Sequence, residues 1–455
     1  MNTLTDRATI VLTVVVLMIS LFRRSRWYKK WSQNFINDGI TFGSIENDIK
    51  VVSPGFKLTR DKIIPHFMNH DNTISFQELK QSLLQLKGYR KLSVANNNVK
   101  MLRCQELTES ERIQLIDIGY FKKIQSVESC INQNSTIVSK IIETTLNKLY
   151  QDNKKNSDYA KLITQLSHEL GYDVNNKNGE ITMLKNGNVS NGDTPIMRIN
   201  ESLSHICRDW STTFRTELNP IIEYIESQLK TIPNINSKKN ILVIPGCGVG
   251  YIPYYFAHKY PNLQVHSIEW SNFMYICNQF ALNHGKDIEI SPFNQYYSNQ
   301  LSLAHQTRLI KVPLKQIKEN NGKNKNLISL WGDFRNYIPN VTESQINNIT
   351  VLSVYFLDTA ENVFQYLDSI ESLRKYCSQD LHWINVGPLK YGTRPLVQFN
   401  VEELSKLKQL RGWKDLDTQT DNKLPNLNGY LTDNESLYQG YYGLNKFHSR
   451  YTKAK

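Results

Sequence analysis

The sequence predicts an α/β protein in which a largely parallel nucleotide-binding sheet follows a helical N-terminal domain. Three observations carry this. An apolar run, Ile241-Leu242-Val243-Ile244, leads into the glycine turn Pro245-Gly246-Cys247-Gly248-Val249-Gly250, and a helix-like segment follows over residues 251–260. Glycines let the backbone turn tightly and approach a ligand without a Cβ collision. From residue 240 onward, strand-length apolar runs alternate with helical segments, as a parallel sheet requires. Upstream, apolar residues recur at three- and four-residue spacing, the period of amphipathic helices.

Taken in order, residues 8–22 form an uncharged, mostly apolar run of 15 residues, followed at once by Arg23-Arg24-Ser25-Arg26-Trp27-Tyr28-Lys29-Lys30. The run is shorter than the roughly 20 residues of a usual bilayer span. With its basic flank it predicts a membrane anchor over residues 1–30, the remainder facing the cytoplasm. Residues 31–60 read as a linker and residues 61–235 as the helical N-terminal region. Within that region the spacing predicts a helix from residue 74, a long helix over 113–149 with a break, a loop over 172–196 and a helix over 202–229 that Pro220 starts or kinks. The sheet domain spans 236–455. Its strands are expected at 241–244, 264–268, 327–331, 349–357 and 382–386, with helices at 271–284, 360–377 and 401–410. Residues 285–326 are too long for an ordinary connection and form an insertion.

Composition narrows the function. Hydrophobic residues make up 40% of the 455, which suits a globular chain with a large core. The net charge is +12, but the lysines are scattered among asparagines and serines, and no basic helix or RNA-binding aromatic motif appears. A nucleic-acid partner is therefore not expected. The six cysteines show neither C-x-x-C pairs nor zinc spacing, so free thiols and no metal are expected.

Three acids sit at expected strand ends: Glu269, Asp333 and Asp358. Ligands of open α/β sheets bind outside the carboxyl ends of the strands, so all three would border one crevice. A bland alternative makes Asp358 a helix N-cap, since Thr359-Ala360-Glu361 follows it. Glu269 lies about 20 residues beyond the glycine turn, where a ribose-binding acid belongs. Gly246, Gly248 and Gly250 give G-x-G-x-G, whereas the dinucleotide pattern needs its third glycine one place later. The spacing favours S-adenosylmethionine, whose ribose needs an acid and whose methionine end needs no pyrophosphate nest. Asp333 and Phe334 would then flank the adenine.

At these residues the chain resembles the carnosine N-methyltransferase family. The glycine turn and Ile268-Glu269-Trp270-Ser271-Asn272-Phe273-Met274 carry the likeness. So do Gly332-Asp333-Phe334, Phe356-Leu357-Asp358-Thr359-Ala360-Glu361-Asn362, Trp383-Ile384-Asn385-Val386-Gly387-Pro388-Leu389 and Arg208-Asp209-Trp210-Ser211. The resemblance runs in order from about residue 74 to residue 451. It implies a Rossmann-like class I methyltransferase sheet with an N-terminal helical domain, S-adenosylmethionine as cofactor, and methylation of the imidazole of a β-alanyl-histidine dipeptide to give anserine. It further implies Arg208, Gly246, Gly248, Glu269, Asp333 and Phe334 as cofactor contacts, with His205 where the family has a glutamine. A guanidinium at Arg208 suits the methionine carboxylate. Asp358, Tyr430 and Tyr442 match the family's substrate contacts, Asp358 being the expected catalytic group.

Two departures stand out. The family's tyrosine triplet reads Gly440-Tyr441-Tyr442 here, and Gly392 stands where the family has a substrate-touching histidine. The second leaves open a related enzyme acting on another histidine-containing peptide or protein. A non-catalytic membrane-tethered scaffold is the third reading, opposed by the intact Gly246, Glu269, Asp333 and Asp358. The sequence leaves a homodimer open.

Overall fold

The computed structural model describes residues 73–452, apart from 154–156, 176–179, 185–193, 323–324, 342–345 and 393. The expected anchor at 8–22 and the linker at 31–60 lie outside the described residues. Among the described residues no helix is long and apolar enough to cross a membrane.

The helical region opens with α1 (Thr73–Lys87), α2 (Tyr89–Arg103), α3 (Glu109–Asp117), α4 (Tyr120–Asn153) and α5 (Ser157–Glu169). The long helix expected over 113–149 is broken at Gly119, whose φ of 75° no helix interior tolerates. Thr108 and Glu111 form a capping box that starts α3. Along α4, Ile124, Val127, Ile131, Val138, Ile141 and Leu149 are buried, the three-and-four spacing of a core-facing stripe. The segment expected as a loop over 172–196 holds an antiparallel ribbon, β1 (Tyr172–Val174) with β2 (Ile181–Met183). It forms because Tyr172, Val174 and Ile181 bury against α4, where the Asn147 amide bonds both the N–H and the C=O of Ile181. Helix α6 (Ile196–Trp210) begins six residues before the expected start at 202, and α7 (Arg215–Leu229) carries Pro220 inside it.

The sheet domain runs β3 (Asn240–Pro245), α8 (Tyr251–Lys259), β4 (Gln264–Glu269), α9 (Asn272–Asn283), β5 (Ile288–Ile290), α10 (Leu303–Thr307), β6 (Ile310–Val312), α11 (Lys315–Asn321) and β7 (Leu327–Trp331). Then follow β8 (Asn348–Val354), α12 (Val363–Ser372), β9 (Leu381–Gly387), α13 (Val401–Arg411), β10 (Trp413–Asp421), β11 (Asn428–Gly429), β12 (Tyr441–Tyr442) and β13 (Leu444–Tyr451). Seven strands lie in the order β10-β13-β9-β8-β3-β4-β7, with β13 antiparallel to both neighbours. This is the Rossmann-like order of class I methyltransferases. Between the parallel strands β3 and β8 the order of strand addition reverses, and a ligand crevice belongs there. Parallel sheets covered on both faces read as unbroken apolar runs, and all six residues of β3 are buried. One face packs against α7 and α8 through Leu218, Ile221, Ile225 and Phe256. On the other side a core joins α4, α6 and α9.

Two expectations fail at the same place. Strand β8 ends at Val354 rather than Leu357, and α12 begins at Val363 rather than 360. Tyr355 takes φ +49° and donates its N–H to Val386 O, which turns the chain off the sheet. Gly387 makes room for this: a Cβ on it would stand 3.1 Å from Tyr355 N. The insertion is structured, with β5 and β6 antiparallel and Ser291 clamped at both backbone atoms by Asn134 of α4.

Candidate active site

The glycine turn shapes the floor of the crevice. Gly246 has φ +60°, and a Cβ on it would lie 2.4 Å from the Phe356 ring. Gly248 has φ +56°, yet a Cβ there would meet nothing within 4 Å, because it would project into the crevice itself. Trp210, fully buried at the end of α6, donates its indole N–H to Val249 O at 2.9 Å and packs edge-on to Tyr251. The R-D-W-S segment thus docks α6 on the glycine turn.

Glu269, at the end of β4, ties the turn to α9. Its two carboxylate oxygens accept from Gly248 N (2.8 Å) and Ser271 N (2.7 Å). Burial lifts this carboxyl to about 7, while those N–H groups pull the other way. Asp333 follows β7 and is held by Arg335, which donates Nε (2.8 Å) and its backbone N–H (2.9 Å) to it. The Arg335 guanidinium lies 5.4 Å over the Trp270 ring and bonds Gln365 at 2.8 Å. The Asp333 carboxylate, expected to flank the adenine with Phe334, is therefore half of an ion pair. Phe334 is buried beside it, edge-on to Phe356.

From the helical region, His205 faces the crevice with Nε2 3.4 Å from the Tyr430 hydroxyl. Burial and then the charge of Arg208 push its imidazole down to about 3, so it is neutral. Arg208 itself stands behind the wall, 4.3 Å over the Tyr430 ring, bonded to Asp209 (2.9 Å) and Glu217 (3.3 Å). Its Nη2 is buried without a hydrogen-bond partner. A buried donor of this kind is costly unless something satisfies it.

The crevice, about 610 Å³, is lined by His205, Gly246, Gly248, Glu269, Asp333, Phe334 and Tyr430 among the expected residues. Arg208, Asp358 and Tyr442 are not on its wall. Asp358 sits in a turn of 3-10 helix, Leu357–Thr359, so it follows β8 rather than closing it. It caps no helix, since the N-cap of α12 is Asn362, which accepts from Phe364 N. Instead Asp358 accepts the backbone N–H of Lys390 at 2.9 Å, and burial raises its carboxyl. Tyr442 packs behind Tyr355 and Tyr430, with ring centroids 6.3 and 6.2 Å away, and its hydroxyl accepts from Lys390 Nζ at 2.9 Å.

Sequence reasoning missed several participants. Glu217 of α7 accepts the N–H groups of Leu431 (2.9 Å) and Thr432 (2.8 Å), which fixes the loop that carries Tyr430. Arg308 of the insertion holds Asp433 in the same loop at 2.6 Å. Tyr355 is on the wall and accepts from Asn428 at 3.1 Å. None of these carries a local motif. Arg335, two residues after Asp333, was within reach of a motif reading.

A family model for carnosine N-methyltransferase matches residues 186–453. The chain belongs to the carnosine N-methyltransferase family. It is a methyltransferase, and its cofactor is S-adenosylmethionine. A Saccharomyces cerevisiae relative, "Uncharacterized protein YMR209C", is 38% identical over 97% of this chain and 98% of its own. The carnosine N-methyltransferase of Schizosaccharomyces pombe is 25% identical over 75% of this chain and 86% of its own length. That of Rattus norvegicus is 31% identical over 43% and 48%. The crevice of this family member fits the cofactor. A Cβ at Gly248 would fill open space, the buried Glu269 carboxylate lines the wall, and behind it Arg208 Nη2 has no hydrogen-bond partner among the described residues.

Proposed function

We propose that this enzyme methylates an imidazole nitrogen of carnosine, the β-alanyl-histidine dipeptide, to give anserine. The observation that carries the reading is Asp358, a buried carboxylate just past the end of β8 that does not cap α12 and accepts the backbone N–H of Lys390, whose ammonium bonds Tyr442. The names of the fission yeast and rat relatives support it. Gly246, Gly248, Glu269 and Phe334 would hold the cofactor's nucleoside. Asp333 would meet its adenine from within the Arg335 pair. His205 would meet its amino-acid end, with the Arg208 charge standing behind Tyr430. When bound, S-adenosylmethionine supplies an electrophilic methyl carbon on a cationic sulfur.

A neutral imidazole nitrogen is already nucleophilic, so no strong base is required. The residues must fix its tautomer and line of approach. Asp358 accepts the N–H of the other ring nitrogen, which leaves the reacting nitrogen's lone pair free. Its charge stabilises the imidazolium as the N–C bond forms. It also holds the ring proton that must depart afterwards. Tyr430 and Tyr442 orient the polar ends of the dipeptide. The test is direct: purified enzyme, cofactor and carnosine, with the methylated ring nitrogen identified by NMR. Methylation of whole-lysate proteins without turnover of carnosine would overturn the reading. It would favour a larger histidine-containing substrate, for which Gly392 leaves room, since a Cβ there meets nothing within 4 Å.

A further inference from the structure

Beyond the ends of β8 and β9, hydrogen-bond donors gather beside a buried carboxylate. Lys390 is exposed and forms no ion pair among the described residues, yet its ammonium is not loose. Nζ donates to the Tyr442 hydroxyl at 2.9 Å and lies 5.2 Å from that ring's centroid. The same hydrogen bond raises its pKa, so it stays charged. A hydroxyl that accepts a bond keeps its own proton to donate. Tyr442 accepts from Lys390 and Tyr355 accepts from Asn428, so both phenols have a proton to offer. On the other side of this group the Lys390 backbone N–H reaches Asp358. A cation after β9 and a buried carboxylate after β8 are therefore tied together by one hydrogen bond. Gly392, two residues on, adds open space rather than a side chain.

We propose that Lys390, steadied by Tyr442, is a specificity-determining residue that anchors a carboxylate of the substrate while Asp358 holds its N–H. The inference rests on the carnosine reading and sharpens it. The site is polarised, with a donor end and an acceptor end, and it selects a substrate that carries an anion as well as an imidazole. A lysine ammonium held on a phenol meets a carboxylate with a charge-assisted bond about twice as strong as a neutral one.

The test compares carnosine with β-alanyl-histamine, which keeps the imidazole and the amine but lacks the carboxylate. Wild type is expected to favour carnosine by about tenfold or more in kcat/KM, mainly through KM. Lys390→Met should bring the two substrates to within about threefold of each other by raising KM for carnosine. Lys390→Arg should keep the preference. Calorimetry with S-adenosylmethionine and a thermal melt check that the variants still bind cofactor and fold. Equal use of both substrates by wild type, or an undiminished preference in a folded Lys390→Met, overturns the inference and leaves the carnosine reading standing. Wild type that binds cofactor but methylates neither compound overturns both.

Discussion

Over β3, β4 and β7 the crevice is made by backbone and by acids that bond backbone. Gly246 and Gly248 set its floor, and Glu269 takes the N–H groups of Gly248 and Ser271. Beyond β8 and β9 it is made by side chains drawn from distant places. Tyr355 follows β8, Lys390 follows β9, and Tyr430 arrives on a loop pinned by Glu217 and Arg308. A backbone site tolerates little change, because its geometry needs particular φ values and absent Cβ atoms. A side-chain site can be re-tuned one residue at a time, as Gly392 illustrates. The cofactor is therefore the fixed part of this enzyme and the substrate the adjustable part.

Gly248→Val strikes the fixed half hardest. A valine there projects into the crevice from a left-handed residue, which costs about 1–2 kcal/mol by itself. Cofactor affinity should fall by about a thousandfold or more, or ~4 kcal/mol, by calorimetry. Retained affinity in that variant would mean that the cofactor does not lie over Gly248.

Asp358→Asn strikes the adjustable half. Turnover of carnosine should fall by about 10²-fold with cofactor affinity intact, as expected for a contact that strengthens in the transition state. Thermal stability should hold, because asparagine can still accept the Lys390 N–H. Near-normal turnover would remove Asp358 from the chemistry and blur the division between the halves.

Glu269→Gln should weaken cofactor binding by about 10- to 100-fold, through the loss of a charged acceptor worth ~1.5–3 kcal/mol. The pH dependence sharpens this. The folded-state pKa is raised to about 7 from an ordinary 4.5, so the group's contribution to stability is fully present below 4.5 and is lost as pH rises through about 7. Cofactor binding should run the other way, tightening as Glu269 ionises through about pH 7. Melts with and without cofactor across that range should diverge, and Glu269→Gln should flatten both slopes. Parallel melts would refute the assignment.

The smallest effect is expected from deleting residues 1–30. Among the described residues the crevice draws on Glu78 and those after it, so kcat/KM on carnosine should not change. A loss would show that the N-terminal segment reaches the site.

How much was legible follows the same division. The glycine turn, Glu269 and the Asp333-Phe334 pair lie in short local motifs, so the strand–turn–helix logic located them. The alternation after residue 240 gave the parallel sheet because strand and helix periods are local properties. The sequence by itself determined the sheet domain, the cofactor class and the identity of the acids. Tertiary structure alone decided that Asp358 leaves β8 through the left-handed Tyr355, that Asn362 rather than Asp358 caps α12, and that Arg208 stands behind Tyr430. It also decided that Lys390 and Tyr442, separated by 52 positions, share a hydrogen bond. Local period and turn chemistry are written in neighbouring residues, whereas these contacts depend on how a loop after β10 folds back over the ends of β8 and β9.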